Sequence, residues 1–134
     1  MIAAKPHPAC QSMESLPTEA LSQVAAYFQT LSEPTRLQIL NLLRRHERSV
    51  GELAQLCGCS AANISRHLSL LTRHGLVVRE SRGNSAFYSM ADASVYALCD
   101  LVCGNIARQL DRTAQKRAAF VAPTAKPRHP RSRA

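Results

Sequence analysis

Apolar positions along the chain recur at two intervals, and the change of interval divides it. From Pro17 to Leu31 they fall at Leu21, Val24, Ala25, Phe28 and Leu31, the three-to-four spacing of one helix face. Ser32 then precedes "EPTRLQILNLLRRH", where Pro34 stands near a helix start and its missing N–H costs nothing. Leu37, Ile39, Leu40, Leu42 and Leu43 make this second helix strongly apolar and predict a central place in the core. Ser49 followed three residues later by Glu52 is a capping box that opens a short helix, "VGELAQLC", which Gly58 ends. Ser60 caps a fourth helix, "AANISRHLSLLTRH", and Gly75 stands where a left-handed cap is favoured.

After Gly75 the period shortens. "LVVRES" and "SAFYSM" are β-prone runs separated by "RGN", which predicts a hairpin. Asp92 or Ser94 then caps a last helix from about 93 to 115. The predicted order α-α-α-α-β-β-α is mainly helical with a small β-hairpin wing, a winged helix-turn-helix with an extra helix at each end. We divide the chain into a flexible arm over 1–16, this domain over 17–115 and a basic tail over 116–134.

Composition refines the picture. The chain has 134 residues, enough for one domain with its own core. It holds no apolar run long enough to span a membrane and no signal-peptide pattern, which points to a cytoplasmic protein without a membrane partner. Five cysteines in a reducing compartment are not expected to form a disulfide framework. The formal charge of +8 is unevenly placed. No acid follows Asp111 while seven basic residues do, whereas residues 1–111 hold ten basic and nine acidic side chains. The excess therefore sits in a Pro- and Arg-rich end, "APTAKPRHPRSRA", which either adds nonspecific attraction to nucleic acid or merely aids solubility.

The fourth helix carries the binding chemistry. Ile64, Leu68 and Leu71 share its inward face, leaving Ala62, Arg66, Ser69 and Arg73 on the other, flanked by Asn63 and Ser65. A helix fits the major groove of B-DNA, with residues near its N-terminus on base edges. Small residues from Ser60 to Ala62 permit close approach, Asn63 suits adenine edges, and Arg66 suits guanine or phosphate. His67 is expected to pack or to meet phosphate. Arg79, Arg82 and Asn84 on the hairpin are placed for the backbone or the adjacent minor groove. Double-stranded DNA is the expected partner, with no cofactor required to bind it; winged helices serving as protein-interaction modules are the alternative. No nucleophile–base pair, phosphate loop or Cys-x-x-Cys at a helix start points to an enzyme.

The stretches "LSEPTRLQILNLL", "SVGELAQLCGCSAANISRHLSLLTRHGLVV" and "RGNSAFYSM", in that order, resemble the ArsR/SmtB family of metal- and metalloid-responsive bacterial repressors over residues 19–110. The resemblance implies a homodimer built by the first and last helices, bound to an imperfect inverted repeat and released by an inducer. The wide apolar surface of the last helix, from Val95 to Leu110, agrees with pairing. Many members open the third helix with Cys-Val-Cys; here that place reads "SVGEL". The family's carboxylate–histidine site on the last helix is incomplete as well, because Asp100 has no histidine near it.

Cys57 and Cys59 flank the turn into the fourth helix and are expected to be apolar filler. Cys99 and Cys103 stand at i and i+4 on the last helix, about 6 Å apart and on one face. Two thiolates there can hold arsenite or another thiophilic ion, with Cys10 of the arm as a third ligand and His7 assisting a divalent ion. A redox or reactive-sulfur sensor using the same cysteines is the alternative, followed by a constitutive DNA-binding protein in which they only pack.

Overall fold

The computed structural model describes residues 12–112 and 118–121. They fall into two compact units, one ending at Val95 and one beginning at Tyr96. The expected Cys10 and His7 and most of the basic tail lie outside the described residues.

In the first unit, a 3₁₀ turn at Met13–Ser15 leads into α1 (Thr18–Leu31), with Pro17 at its N-cap. Helix α2 (Pro34–Leu42) follows after two residues. Its cap is Glu33, whose carboxylate accepts the Arg36 N–H at 3.0 Å. Pro34 occupies the first helical position, and Ile39, Leu40 and Leu43 are buried while Leu37 is partly exposed. Helix α3 (Val50–Cys57) opens on the capping box, with both reciprocal bonds formed between Ser49 and Glu52.

Helices α3 and α4 (Ala61–Arg73) end on the same device. At Gly58 and Gly75 the backbone turns left-handed, with φ of 68° and 75°. The next N–H then reaches back across the turn, Cys59 to the Ala54 carbonyl at 3.0 Å and Leu76 to the Leu71 carbonyl at 2.9 Å. Each glycine thus stops a helix and sets the direction of the chain leaving it, first into the recognition helix and then into the sheet.

That sheet has three strands rather than two. The hairpin of β2 (Val77–Arg82) and β3 (Ser85–Met90) turns over Gly83 and Asn84, with Gly83 at φ 62°. A two-residue strand, β1 (Arg48–Ser49), adds to the other edge of β3 and gives the order β1-β3-β2, antiparallel throughout. The backbone just before the α3 capping box is thereby tied to the wing. Leu53, Ile64, Leu68, Leu71, Val77 and Val95 are almost completely buried and form the centre of the core.

Helix α5 (Ser94–Gln109) carries most of the second unit. Asp92 caps it, accepting the Ser94 N–H at 2.9 Å. It stops before the expected limit near 115, passing into a 3₁₀ turn over Leu110–Arg112, as helix ends commonly tighten. A further 3₁₀ turn covers Ala118–Phe120. None of the described helices is long and apolar enough to cross a membrane.

Candidate DNA interface and thiol positions

The recognition surface begins where the backbone of α4 begins. The Ser60 hydroxyl accepts the Asn63 N–H at 3.1 Å, which satisfies one of the unpaired donors of the first turn. With Ile64, Leu68 and Leu71 fully buried, helical geometry turns Ala62, Ser65, Arg66, Ser69 and Arg73 to the surface, and all five are exposed. Asn63 is half-buried, and its side-chain oxygen accepts a hydrogen bond from the Arg66 guanidinium. Asn63 and Arg66 thus form one polar unit at the start of the helix.

His67 lies apart from that surface. Its side chain is 13 % exposed, its Nδ1 accepts from the Arg36 guanidinium at 3.1 Å, and its Nε2 lies 4.0 Å from the Glu33 carboxylate. Arg36 also donates to the Thr30 carbonyl at 2.5 Å and reaches the Gln29 carbonyl at 3.5 Å. One guanidinium therefore joins the carbonyl end of α1, the start of α2 and the recognition helix. Sequence reasoning passed over Arg36. A cation in the first turn of a helix opposes the helix dipole, and that mismatch is the signal that its charge serves another element.

On the wing, residues of β2 alternate between two faces. Val77 is buried and Val78 is 48 % exposed, so Arg79 and Ser81 share the face of Val77 while Glu80 and Arg82 share the opposite one. Arg79 donates to the Ser81 hydroxyl at 3.1 Å. Arg82 grips Glu47 with two bonds, at 2.5 and 2.8 Å, and Glu80 with a third at 3.0 Å, and it lies 5.0 Å over the Phe87 ring. The Glu47 bond first, then the Glu80 bond, raise the already high pKa of Arg82, and the same contact holds the Glu47 carboxyl below its ordinary range. Asn84 lies exposed in the turn.

A helix, a glycine-capped turn, a second helix with a polar outer face and a three-stranded wing are the parts of a DNA-binding winged helix-turn-helix. A helix-turn-helix domain model matches residues 31–80. The transcriptional regulator Rv0081 of Mycobacterium tuberculosis is 39 % identical over 104 residues, covering 76 % of this chain and 90 % of that protein. Mb0332 of Mycobacterium bovis, a possible ArsR-family regulator, is 33 % identical over 78 % of this chain. The chain belongs to the ArsR/SmtB family.

The crystal structure of Rv0081 superposes with a TM-score of 0.64 at 36 % identity, over 75 % of this chain and 99 % of that one. The homodimeric winged helix-turn-helix domain of Mb0332 gives 0.63, over 94 % of that chain. A probable mercury resistance operon repressor of Streptomyces lividans is 37 % identical over 71 residues, 53 % of this chain and 57 % of that protein. Like these ArsR/SmtB relatives, the chain is a DNA-binding transcriptional regulator rather than an enzyme.

The thiols of this ArsR/SmtB chain fall into two settings. Cys57 ends α3 and is half-buried; burial first, and then the neighbouring Cys59, push its thiol pKa up, which disfavours the thiolate that binds metals. Cys59 is half-buried too, with its Sγ 3.6 Å from the Cys57 carbonyl oxygen. On α5, Cys99 is half-buried and Cys103 exposed, one helical turn apart. Among the described residues no group of three or more histidine, cysteine or acidic side chains is gathered as a metal site.

Proposed function

We propose that this chain is a homodimeric repressor that leaves its operator when a thiophilic metal or metalloid of the arsenite type binds Cys99 and Cys103. The reading is carried by one observation: two thiols one turn apart on α5, the outer one open to solvent, beside the exposed Leu101 and Val102. Exposed apolar side chains at this density suit a protein partner. Helix α1 offers a second apolar surface in Leu21 and in Phe28, which lines an open groove with Leu16, Ala20, Val24 and Tyr27. The homodimeric Mb0332 domain supports pairing, and the name of the Streptomyces relative supports a soft-metal inducer.

In a two-fold dimer the two α4 helices enter successive major grooves about 34 Å apart, which matches an imperfect inverted repeat. Ser60, Ala62, Asn63, Ser65, Arg66, Ser69 and Arg73 face the DNA, while His67 holds the helix in place. An ion drawn between the Cys99 and Cys103 thiolates reshapes the helix that joins the protomers. It releases the DNA only in so far as it binds the DNA-incompetent arrangement more tightly. A coupling of about 1–3 kcal/mol corresponds to a 5- to 150-fold weaker operator affinity.

A second reading has its own support. The described residues provide two thiols on α5 and gather no third ligand beside them, and two thiols suffice for a sulfur bridge. A direct disulfide within a helix is awkward because Cβ atoms at i and i+4 lie about 5–6 Å apart, beyond the roughly 3.5–4.5 Å a disulfide spans, so a polysulfide or an inter-subunit link suits the pair better. Operator DNA selected from a random duplex library, bound by the reduced protein and titrated with arsenite, cadmium, zinc and tetrasulfide, separates the two. Release by arsenite and cadmium supports the metalloid reading, and release by tetrasulfide alone transfers the role to reactive sulfur. Persistence of the complex in all four contradicts sensing by α5.

A further inference from the structure

The wing presents two arginines with opposite circumstances. Arg79 lies on the face of β2 that carries the buried Val77, the side on which the sheet meets the helices. Its cross-strand partner is Tyr88, its one hydrogen bond goes to a neutral hydroxyl, and among the described residues no carboxylate lies within ion-pair distance of it. Arg82 lies on the other face. There Glu80 pairs across the strands with Phe87, and the guanidinium rests on that ring while both oxygens of Glu47 and one of Glu80 accept from it.

Two carboxylates on one guanidinium engage three of its five N–H donors and more than cancel its charge. For Arg82 to meet a phosphate, it would have to exchange a bidentate partner already in place for another anion of the same geometry, with little to gain. Glu47, moreover, sits in the segment between α2 and β1, thirty-five residues earlier in the chain. The pair therefore pins the wing tip to the body of the domain.

We propose that the two wing arginines divide its work: Arg79 meets the DNA, whereas Arg82 is a positioning residue whose charge Glu47 and Glu80 withhold from phosphate. The inference rests on the DNA-binding reading and narrows it, since spacing alone assigned both arginines to the interface. It also gives the acids of the wing a role. They lower the nonspecific pull of this region, so that discrimination rests on α4.

Counterion release makes the division measurable. Each phosphate contact contributes about 0.9 to the slope of log affinity against log salt, an eightfold change in Kd per tenfold change in salt. The experiment measures binding of the full-length protein to a labelled random-sequence duplex over a salt series, with thermal melts to confirm folding. Arg79→Gln is expected to lower the slope by about 1.8, that is about 0.9 for each protomer of the dimer, and Arg82→Gln to leave it at the wild-type value. The double variant Glu47→Gln with Glu80→Gln frees Arg82 in both protomers and is expected to steepen the slope by about 1.8, a change that a purely structural ion pair would not produce. If Arg82→Gln proves poorly folded, the double variant decides alone. A loss of slope in Arg82→Gln equal to that in Arg79→Gln, or an unchanged slope in the double variant, would overturn the proposal. A wild-type chain without salt-dependent binding would overturn the DNA-binding reading itself.

Discussion

Replacing Arg36 tests whether the recognition helix is held from behind. Arg36→Met keeps the length and apolar stem of the side chain and removes its donors. Two of its bonds are well formed, to the Thr30 carbonyl at 2.5 Å and to His67 Nδ1 at 3.1 Å, and both are partly buried. The third, to Gln29, is long at 3.5 Å, and that carbonyl is also served by the Ser32 N–H and hydroxyl. A hydrogen bond to a charged group contributes about 1.5–3 kcal/mol, and partial solvent access reduces this, so the two bonds together predict a loss of roughly 2–4 kcal/mol. Arg36→Lys retains the charge but cannot serve two directions at once, and should recover about half of it. Urea unfolding followed by circular dichroism, at one fixed protomer concentration because association contributes to stability, gives the value. A double-mutant cycle with His67→Leu isolates the link to α4, with an expected coupling above about 0.5 kcal/mol. A loss in Arg36→Met below about 0.5 kcal/mol, the range of an ordinary surface change, would refute the reasoning.

Three further outcomes follow from the same geometry. Leu53→Ala opens a cavity at a residue with no exposure and is expected to cost about 2–5 kcal/mol in the same urea assay; a cost below about 1 kcal/mol would mean that α3 is not anchored there. Under limiting iodoacetamide, peptide mass mapping should find the exposed Cys103 alkylated before the half-buried Cys57, whose raised thiol pKa slows it further; the reverse order would contradict this placement. The Glu47 carboxyl lies below its ordinary value of 4.5 in the folded protein, so the stability it contributes is present above that value and is lost only as pH falls through the lowered one. A carboxyl titration of Glu47 by NMR should therefore have its midpoint below 4.5, and a midpoint at or above 4.5 would deny the Arg82 pair in solution.

Much of the fold was legible because its signals are local. The Ser49–Glu52 capping box, the helix-ending glycines at 58 and 75 and the hairpin bend at Gly83 and Asn84 each act within a few positions and stand where the pattern predicts, although Arg82 belongs to the strand and not to the turn. The inward face of α4 was legible for the same reason, since Ile64, Leu68 and Leu71 need only helical periodicity. Strand β1 was missed because two residues are too few to show any period, and it exists only by pairing with β3. The Glu33 cap of α2 follows from Pro34, which takes the first helical position and makes the residue before it the cap.

The contacts that give the interface its character are long-range and were not legible. Arg36 meets His67 across thirty-one positions and Arg82 meets Glu47 across thirty-five. Residue pattern left His67 either to pack or to meet phosphate, and set Arg82 on the wing beside the DNA. The contact of His67 with Arg36 of α2, and the two acids that meet Arg82, are pairings that no local pattern shows. The thiols show the same limit: spacing placed Cys99 and Cys103 on one helix face, while the contrast between an exposed Cys103 and a burial-shifted Cys57 emerges only in the fold.

The central claim is that thiol chemistry on α5 governs DNA binding by α4. It is tested most directly by fluorescence anisotropy of the selected operator duplex, with reduced wild-type protein and the Cys99→Ser, Cys103→Ser double variant titrated side by side with arsenite. Both proteins are expected to bind the operator equally well without arsenite; on its addition the wild type is released and the double variant stays bound. Release of the double variant at the same arsenite concentration as the wild type would contradict the claim.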